Sequence, residues 1–354
     1  MFMLIISLLF FQLPAGQTDL SRLLRTIAGK RGGRQVISIL FFSCFLALPA
    51  LKTDSILFIL EVHFIVFTII IRCILHFFSM DRITKIIMCS ILSLLLSGIC
   101  ISYGYCNARH IVKTEYYFDT DKTISDDYKI ALLSDLHYPS STTKSDVEEL
   151  VAEINKENCD VVVLGGDIID EHTSLEQREE VFQILGKLNK TSKVVYIYGN
   201  HDLGQYSINN KISSQELERI TEDNGIEVLK DEILEINDDI TLIGRDDYAN
   251  KARLDINELL KKCNQEDYLI VLDHQPRDLD ENADKGIDLH LSGHTHAGQI
   301  FPMYYMFELL NINELNYGVK KINQMHAINT SGAGVWGFPI RTQMHSEYVI
   351  LHIK

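Results

Sequence analysis

Long apolar stretches fill the first third of the chain and set it apart from the rest. They are Met1–Leu13, Val36–Leu51, Ile56–Phe78 and Ile86–Tyr103. A membrane-spanning helix needs roughly 17–25 residues, so the last three stretches predict spanning helices. The first stretch is short and is followed by Pro14, which indicates either a short first helix or an interfacial one. The sequence therefore predicts a membrane region of three or four helices over residues 1–106.

Basic residues between these stretches predict the orientation of the membrane region. The loop after the first stretch contains Arg22, Arg25, Lys30, Arg31 and Arg34. Arg82 and Lys85 lie between the last two stretches. Because Lys and Arg are enriched in cytoplasmic loops, both loops are predicted to be cytoplasmic. The chain after Asn107 is then extracytoplasmic, and the protein is predicted to be integral to the cell membrane.

Three ionisable residues, Glu61, His63 and Arg72, fall inside the third apolar stretch. Such groups can mark a transport or relay site. Here they lie a turn or two from the ends of the stretch, where polar groups reach the interface at small cost. The favoured interpretation is that their side chains extend to the interface and have no transport role.

The pattern changes at Lys129 to short β-rich runs that alternate with amphipathic segments. The predicted strands are Lys129–Ser134, Val161–Leu164, Val194–Ile197, Ile226–Leu229, Ile233–Ile236, Thr241–Ile243, Tyr268–Leu272, Leu289–Leu291, Ala327–Asn329 and Tyr348–His352. The predicted helices are Asp146–Asn155, Glu176–Leu188 and Ser213–Asp223. This alternation predicts an α/β domain over residues 129–354, with parallel and mixed sheets between helices. Residues 107–128 are predicted to form a connector.

Charge is divided unevenly between the two parts of the chain. Up to His110 there are ten Lys or Arg and four Asp or Glu, a net charge of +6. The remainder holds 23 basic and 44 acidic residues, a net charge of −21. An acidic domain of this size binds polyanions poorly, which disfavours nucleic acid as a partner. Cys106, Cys159 and Cys263, the cysteines in polar sequence, lack CxxC spacing and predict neither a disulfide framework nor a cysteine zinc site.

Five polar clusters follow directly after apolar, strand-like runs. They are SDLH (134–137), GGDIID (165–170), GNHD (199–202), DHQP (273–276) and GHTHAGQ (293–299). The carboxyl ends of the strands in an α/β sheet converge on one crevice. Carboxylate, imidazole and amide oxygen are ligands for hard and borderline metal ions. Each cluster alone is weak evidence, but the five in this order predict a metal site.

The ordered clusters resemble the motifs of the calcineurin-like metallophosphoesterase superfamily, which are D-x-H, G-D-x-x-D, G-N-H-[DE], H and G-H-x-H. The resemblance covers roughly residues 129–354. The GHTHAGQ ending, the stretch Trp336–Glu347 and the membrane-anchored layout resemble the YkuE/YaeI-like bacterial branch. The resemblance implies transmembrane helices followed by a four-layer α/β/β/α sandwich with mixed sheets. It also implies a metal-dependent phosphoric ester hydrolase.

Two divalent metal ions, of Mn, Fe or Zn, are implied by the same resemblance. The implied ligands are Asp135, His137, Asp167 and His296 for the first ion, and Asp167, Asn200, His274 and His294 for the second. Two cations roughly 3.5–4 Å apart can polarise a phosphoryl group and lower the pKa of a shared water toward neutrality. The expected reaction is therefore attack on phosphorus by a metal-activated hydroxide.

The resemblance also implies a catalytic set formed by His201, Asp170 and Asn200. His201 is expected to hydrogen-bond the phosphoryl group or to protonate the leaving oxygen. Asp170, the last residue of GDIID, is expected to orient the His201 imidazole and raise its pKa. Asp202 is expected to stabilise the loop.

Two positions depart from the family pattern. Many members that cleave phosphomonoesters have Arg directly after the GDxxD motif, where this chain has Glu171. Without a guanidinium fork for a dianionic phosphate, a diester or pyrophosphate substrate is favoured. Ala297 replaces the more usual Gly of the branch, and a positive φ there would be strained. Trp336 and Arg341, in and after a Gly-rich C-terminal loop, are expected at the pocket rim.

These observations predict a membrane-anchored two-metal phosphoesterase that hydrolyses a phosphodiester or pyrophosphate bond. The substrate is expected to be a small-molecule or lipid-linked phosphoester of the cell envelope. One alternative is a phosphomonoesterase acting on nucleotides or phosphosugars. Another is a catalytically inactive metal-binding membrane module, although the complete ligand set argues against it. A transporter is the least favoured class, because intramembrane charges are few and no paired broken helices stand out.

Overall fold

The computed structural model describes residues 56–207 and 210–354. The helices predicted over Met1–Leu13 and Val36–Leu51 lie outside the described residues. Among the described residues, two helices are apolar and long enough to cross a membrane. They are α1 (Ile56–His76) and α2 (Arg82–Asn107), at the positions of the last two predicted spans.

Helix α2 begins four residues earlier than its apolar pattern predicted. The Asp81 carboxylate accepts hydrogen bonds from the backbone N–H groups of Ile83 and Thr84, at 3.0 Å each. A side chain that satisfies free N–H groups in this way fixes the start of a helix. The polar first turn of α2 is therefore helical because Asp81 caps it.

Two six-stranded sheets form the centre of the domain that follows. The first contains β1 (Ile111–Phe118), β2 (Tyr128–Leu133), β3 (Val161–Leu164), β4 (Lys193–Tyr196), β5 (Glu227–Val228) and β12 (Ser346–Ile353). The second contains β6 (Glu232–Glu235), β7 (Ile240–Gly244), β8 (Tyr268–Leu272), β9 (Leu289–Ser292), β10 (Gly318–Ile322) and β11 (Met325–Asn329). Their orders are β1-β12-β2-β3-β4-β5 and β10-β11-β9-β8-β7-β6. Each sheet combines parallel pairs with antiparallel ones, as predicted.

Alternating side chains on the strands separate two cores. On β2, Ile130 and Leu132 pack between the sheets, whereas Ala131 and Leu133 face a core shared with helices. This alternation follows from the two-residue period of a strand. The core between the sheets also takes residues from the second sheet, such as Leu242. The sheets therefore pack face to face.

Helices cover the outer faces of both sheets. They are α3 (Lys144–Glu157), α4 (Leu175–Leu185) and α5 (Ser214–Glu222) on the first sheet, and α6 (Ile256–Leu260) and α7 (Leu279–Asp284) on the second. Two 3-10 turns, Gly186–Lys190 and His296–Gly298, and a last helix, α8 (Met303–Leu310), complete the described elements. The predicted four-layer α/β/β/α sandwich is confirmed.

Strand β1 corrects the predicted connector over residues 107–128. It pairs in parallel with β12 along its whole length, from Ile111 opposite Ser346 to Phe118 opposite Ile353. Its side chains are mostly half-buried or exposed, as is common for a strand at the edge of a sheet. That pattern lacks a continuous apolar face, so the sequence alone did not predict the strand. The ten predicted strands all form, each to within two residues at either end.

Candidate metal centre

The predicted ligands meet at the carboxyl ends of strands from both sheets. Asp135 and His137 follow β2, Asp167 follows β3, Asn200 follows β4, His274 follows β8, and His294 and His296 follow β9. Two groups of ligand atoms result, each within 4.8 Å: Asp135 with His137 and His296, and Asp167 with His274 and His294. This is the grouping that the motif resemblance implied.

Asp167 belongs to the second group and also approaches the first. Its Oδ2 atom is 3.0 Å from Nε2 of His274 and 3.9 Å from Nε2 of His137. Its Oδ1 atom accepts a hydrogen bond from the backbone N–H of His201 at 2.8 Å. One carboxylate oxygen thus faces imidazoles of both groups, which is the position that a bridging ligand requires.

The donor set fits divalent metal ions. Nε2 of His137 lies 3.2 Å from Nε2 of His296, so two imidazole nitrogens face each other at the centre of the first group. Oδ1 of Asn200 is buried and has no hydrogen-bond partner. A buried acceptor without a partner destabilises a fold, and it often marks the place of an ion or ligand. Imidazole, carboxylate and amide oxygen together suit Mn, Fe or Zn.

The backbone at the ligands is held in an uncommon conformation. Positive φ angles occur at Asp135 (57°), His137 (45°), Asp167 (51°), His294 (72°) and His296 (49°). Such left-handed residues cost about 1–3 kcal/mol each and persist where the surrounding structure enforces them. Five of the seven predicted ligands share this strain, which is typical of functional sites.

Asp202 helps to hold the ligand loops in this backbone conformation. Its carboxylate accepts hydrogen bonds from the backbone N–H groups of Asp167 at 2.7 Å, Ile168 at 2.9 Å and Gly199 at 2.6 Å. It therefore ties the loop after β3 to the loop after β4, as expected from the sequence. Gly199 allows this close approach, since a Cβ atom there would collide with the Asp167 carboxylate.

Burial keeps most of the clustered histidines neutral. It lowers the pKa of His137 to about 3 and lowers the pKa of His294 and His296. Metal binding requires the neutral imidazole, so these three histidines are ready to bind. Burial also disfavours the charged form of His274, but the adjacent Asp167 carboxylate outweighs it and raises the pKa. Nδ1 of His274 lies 2.9 Å from the Gly165 carbonyl, which orients Nε2 toward Asp167.

A cavity of about 860 Å³ opens onto the two groups. Its wall consists of Asp167, Glu171, His172, Asn200, His201, Tyr206, Ser207, His294, His296 and Trp336. The Trp336 side chain is half-exposed, and its ring centroid lies 5.3 Å from that of His201. The expected place of Trp336 at the rim thus agrees with the structure.

His201 has a different partner from the one predicted. Its Nδ1 atom lies 2.9 Å from each carboxylate oxygen of Glu171. Asp170 instead accepts the backbone N–H of His172 at 2.8 Å and is almost fully buried in its own turn. The predicted pairing of Asp170 with His201 is therefore wrong, because the Asp170 carboxylate turns back onto the backbone of its own turn. In the sequence, Glu171 stands out only because it replaces an arginine, and its contact with His201 was not predicted.

The His201–Glu171 contact changes the proton affinity of the imidazole. Burial disfavours the charged form, but the Glu171 hydrogen bond and the nearby Asp167 carboxylate outweigh it and raise the pKa of His201. The effect that the sequence assigned to Asp170 thus comes from Glu171.

Arg341 also departs from its predicted place at the rim. It is fully buried, and its guanidinium donates hydrogen bonds to the carbonyls of His296 at 2.9 Å, Ser331 at 2.9 Å and Gly334 at 2.6 Å. Arg341 therefore fixes the loop beneath the cavity and does not face a substrate.

Comparison with known proteins gives one consistent family. The sequence profile described as Calcineurin-like phosphoesterase matches residues 128–298. An uncharacterized metallophosphoesterase of Helicobacter pylori is 33% identical over 249 residues, which are 69% of this chain and 63% of that protein. One of Aquifex aeolicus is 30% identical over 260 residues, 72% of this chain and 95% of that protein. The protein YkuE of Bacillus subtilis is 28% identical over 266 residues, 71% of this chain and 90% of that protein.

The fold and the clustered ligands define a metallophosphoesterase-type α/β/β/α protein. The chain belongs to the calcineurin-like metallophosphoesterases. The resemblance inferred from the motifs, including the similarity to YkuE, is confirmed. The chain spans 63% of the length of the Helicobacter pylori relative.

Proposed function

We propose that this protein is a membrane-anchored phosphoesterase that uses two divalent metal ions to hydrolyse a phosphodiester or pyrophosphate bond. The observation that carries the proposal is the Asp167 carboxylate, which belongs to the second group of ligand atoms and also approaches His137 of the first. The ligands would be Asp135, His137, Asp167 and His296 for one ion, and Asp167, Asn200, His274 and His294 for the other. When bound, such a pair of ions polarises a phosphoryl group and activates water.

His201 is the proposed catalytic side chain beside the metal ligands. It lines the cavity, and its Nδ1 is held by Glu171. Its other ring nitrogen, Nε2, is then the one that hydrogen-bonds the phosphoryl group or gives a proton to the leaving oxygen. Glu171 acts as a positioning residue, because it fixes the tautomer and the ring orientation of His201. Asn200 contributes as a ligand.

Glu171 also supports the proposed substrate class. Its carboxylate stands in the cavity wall, at the position where many phosphomonoesterases of this superfamily have Arg. A carboxylate there repels the dianion of a phosphomonoester more strongly than the monoanion of a diester. This repulsion therefore favours a diester over a monoester, whereas a pyrophosphate is favoured by the absence of the guanidinium fork.

The apolar helices α1 and α2 support a membrane location. We place the domain outside the cytoplasm, because Arg82 and Lys85 make the first turn of α2 basic and favour the cytoplasm for that end of the helix. A small-molecule or lipid-linked phosphoester of the cell envelope is the proposed substrate. Protease treatment of intact cells tests the orientation, and full protection of the domain would contradict it.

The activity is tested on the full chain in detergent. The protein is stripped with a chelator, reloaded with Mn²⁺, Fe²⁺ or Zn²⁺, and assayed on a chromogenic diester and a chromogenic monoester. Metal-dependent turnover that is faster on the diester is the expected result. Absence of turnover on both substrates would overturn the enzymatic proposal, whereas equal rates would remove the diester preference alone.

Two substitutions separate the proposed roles of adjacent residues. Asn200→Ala should reduce both turnover and bound metal, because it removes a proposed ligand. His201→Ala should reduce turnover by about 10²–10⁴-fold, the usual contribution of a positioned acid or base, and should retain both metal ions. Elemental analysis measures the bound metal and the assay measures turnover, so together they distinguish a metal ligand from a catalytic residue that binds no metal. Loss of metal in His201→Ala would contradict its assignment as a non-ligand.

A further inference from the structure

Helix α8 carries an exposed apolar surface that the candidate metal centre does not use. Its sequence is MYYMFELL, and none of its residues is buried. Tyr305, Leu309 and Leu310 are 60%, 81% and 57% exposed, and Ile312 just beyond the helix is 47% exposed. A helix on the surface of a soluble domain normally shows a polar face. A contiguous apolar patch of this kind marks an interaction surface.

The one charged residue of α8 is paired with the protein. Oε1 of Glu308 accepts a hydrogen bond from Nδ2 of Asn316 at 2.6 Å, and Asn316 itself is buried. Asn316 is a neutral donor, and Glu308 remains exposed beside Tyr305, Leu309 and Leu310. The surface that α8 presents is therefore apolar apart from this one carboxylate.

The start of α8 is joined to the candidate span α1. Nε2 of His63 lies 2.9 Å from Oγ1 of Thr342, and the same Oγ1 accepts the backbone N–H of Phe301 at 3.0 Å. The His63 and Phe301 rings lie 6.4 Å apart. His63 is fully buried by these contacts, so its side chain does not extend to an interface as the sequence suggested. Helix α8 begins at Met303, two residues after Phe301.

The position of His63 along α1 sets the depth of this contact. His63 precedes the end of α1 at His76 by thirteen residues, which correspond to about 20 Å at about 1.5 Å per residue. The hydrocarbon layer of a bilayer is about 30 Å thick. Gly104 of α2, which packs against Thr342, lies 22 residues after Arg82, or about 33 Å, so the contact lies near the outer edge of the hydrocarbon layer. Phe301 and the start of α8 lie at that same level.

We propose that α8 inserts into the lipid bilayer beside α1, as a membrane contact of the domain additional to the spanning helices. Lipid is the occupant favoured by the continuity with α1, by the depth of the contact and by the residue types. Tyr, Phe, Met and Leu are the residues with which short helices enter a membrane interface. Because α8 begins seven residues after His296, insertion holds the candidate metal centre at the membrane surface.

The test uses the single tryptophan of the chain, Trp336. The full chain with Trp336→Phe and Leu309→Trp is reconstituted in phosphatidylcholine vesicles, with and without brominated acyl chains. Bromine quenches only indoles that enter the acyl region, so the Leu309→Trp emission should fall strongly in brominated vesicles. Leu309 is 81% exposed, and the larger side chain therefore fits without repacking.

Two matched variants in the same Trp336→Phe background calibrate the result. Ile99→Trp, on the exposed face of α2, should be quenched, and Tyr117→Trp, at the far end of β1, should not be. Unquenched Leu309→Trp beside quenched Ile99→Trp would overturn the proposal and indicate a protein partner for α8. Absence of quenching in Ile99→Trp as well would show that α2 does not enter the bilayer. That result would also overturn the proposal for α8.

A variant that loses helical circular dichroism is replaced by Leu310→Trp, which probes the same surface. Fluorescence is measured without substrate or metal. The outcome is thus independent of the proposed phosphoesterase activity.

Discussion

The metal-ligand cluster and the rest of the cavity wall are built in different ways. Six of the seven predicted ligands are buried, and each directly follows a strand of one of the two sheets. The lining residues other than the ligands lie on loops, and two of them, Tyr206 and Trp336, are 65% and 51% exposed. Glu171, also in the wall, acts through His201. Under the proposed function, the buried cluster would supply the chemistry, and the more exposed wall would select the phosphoester.

The largest effect is expected where both groups of ligands meet. Asp167→Asn removes the carboxylate charge that both ions would share, so both should be lost. Since the ions supply several kcal/mol of transition-state stabilisation, turnover should fall by at least about a thousandfold. Elemental analysis and the diester assay measure the two losses together.

The control for this substitution is Asp238→Asn, which removes an exposed carboxylate far from the cluster in sequence. It should change neither metal content nor turnover. Retention of two metal ions in Asp167→Asn would contradict a bridging role for this residue. It would also contradict the view that metal binding depends on the ligand cluster and not on the wall.

A smaller effect is expected in the wall, at Glu171. Glu171→Gln leaves a neutral partner for His201, and turnover on the diester should fall about 10–100-fold, the range for a carboxylate that orients a functional histidine. Metal content should stay unchanged. The ratio of monoester to diester turnover should rise, because the repulsive charge is removed.

The matched control is the neighbouring Asp170→Asn. An asparagine there still accepts the backbone N–H of His172, so both turnover and substrate ratio should stay close to those of the unchanged protein. The comparison distinguishes the partner seen in the structure from the one predicted from the sequence. A larger loss in Asp170→Asn than in Glu171→Gln would reverse the assignment.

Asp170 and Glu171 also show how far the site could be predicted from the sequence. The ligands were identifiable because each motif follows a strand, and strand ends converge at one edge. Asp170 and Glu171 are adjacent, and only the path of the turn decides which of them faces His201. The motif therefore identified the need for a carboxylate but assigned it to the wrong residue.

The same limit applies to the fold. Runs such as VVVL predicted the central strands, because their burial on both faces leaves a continuous apolar signal. Edge strands β1 and β10 carry Lys and other polar side chains and give no such signal. The contact of His63 with Thr342 joins residues 279 positions apart, and no local pattern encodes it.

The smallest effect is expected at Ala297, which lies between the ligand His296 and the path to α8. Its φ and ψ are 50° and 32°, so the positive φ anticipated from the sequence is present. The left-handed conformation costs an alanine about 1 kcal/mol, while its buried methyl contributes about 0.8 kcal/mol. The two terms oppose each other in Ala297→Gly, and the free energy of unfolding should change by less than about 1 kcal/mol.

Urea unfolding of Ala297→Gly and Ala297→Val measures this balance. The valine variant should be clearly less stable, because a β-branched residue tolerates a positive φ poorly and Ala297 is fully buried. Metal content should be unchanged in the glycine variant, since both neighbours keep their positions. A gain of about 2 kcal/mol in that variant would show that strain at this position exceeds the usual cost. The strained backbone of the ligand loop would then depend on the segment that leads to α8. The metal-ligand cluster and the surrounding loops could no longer be treated as independent parts of the site.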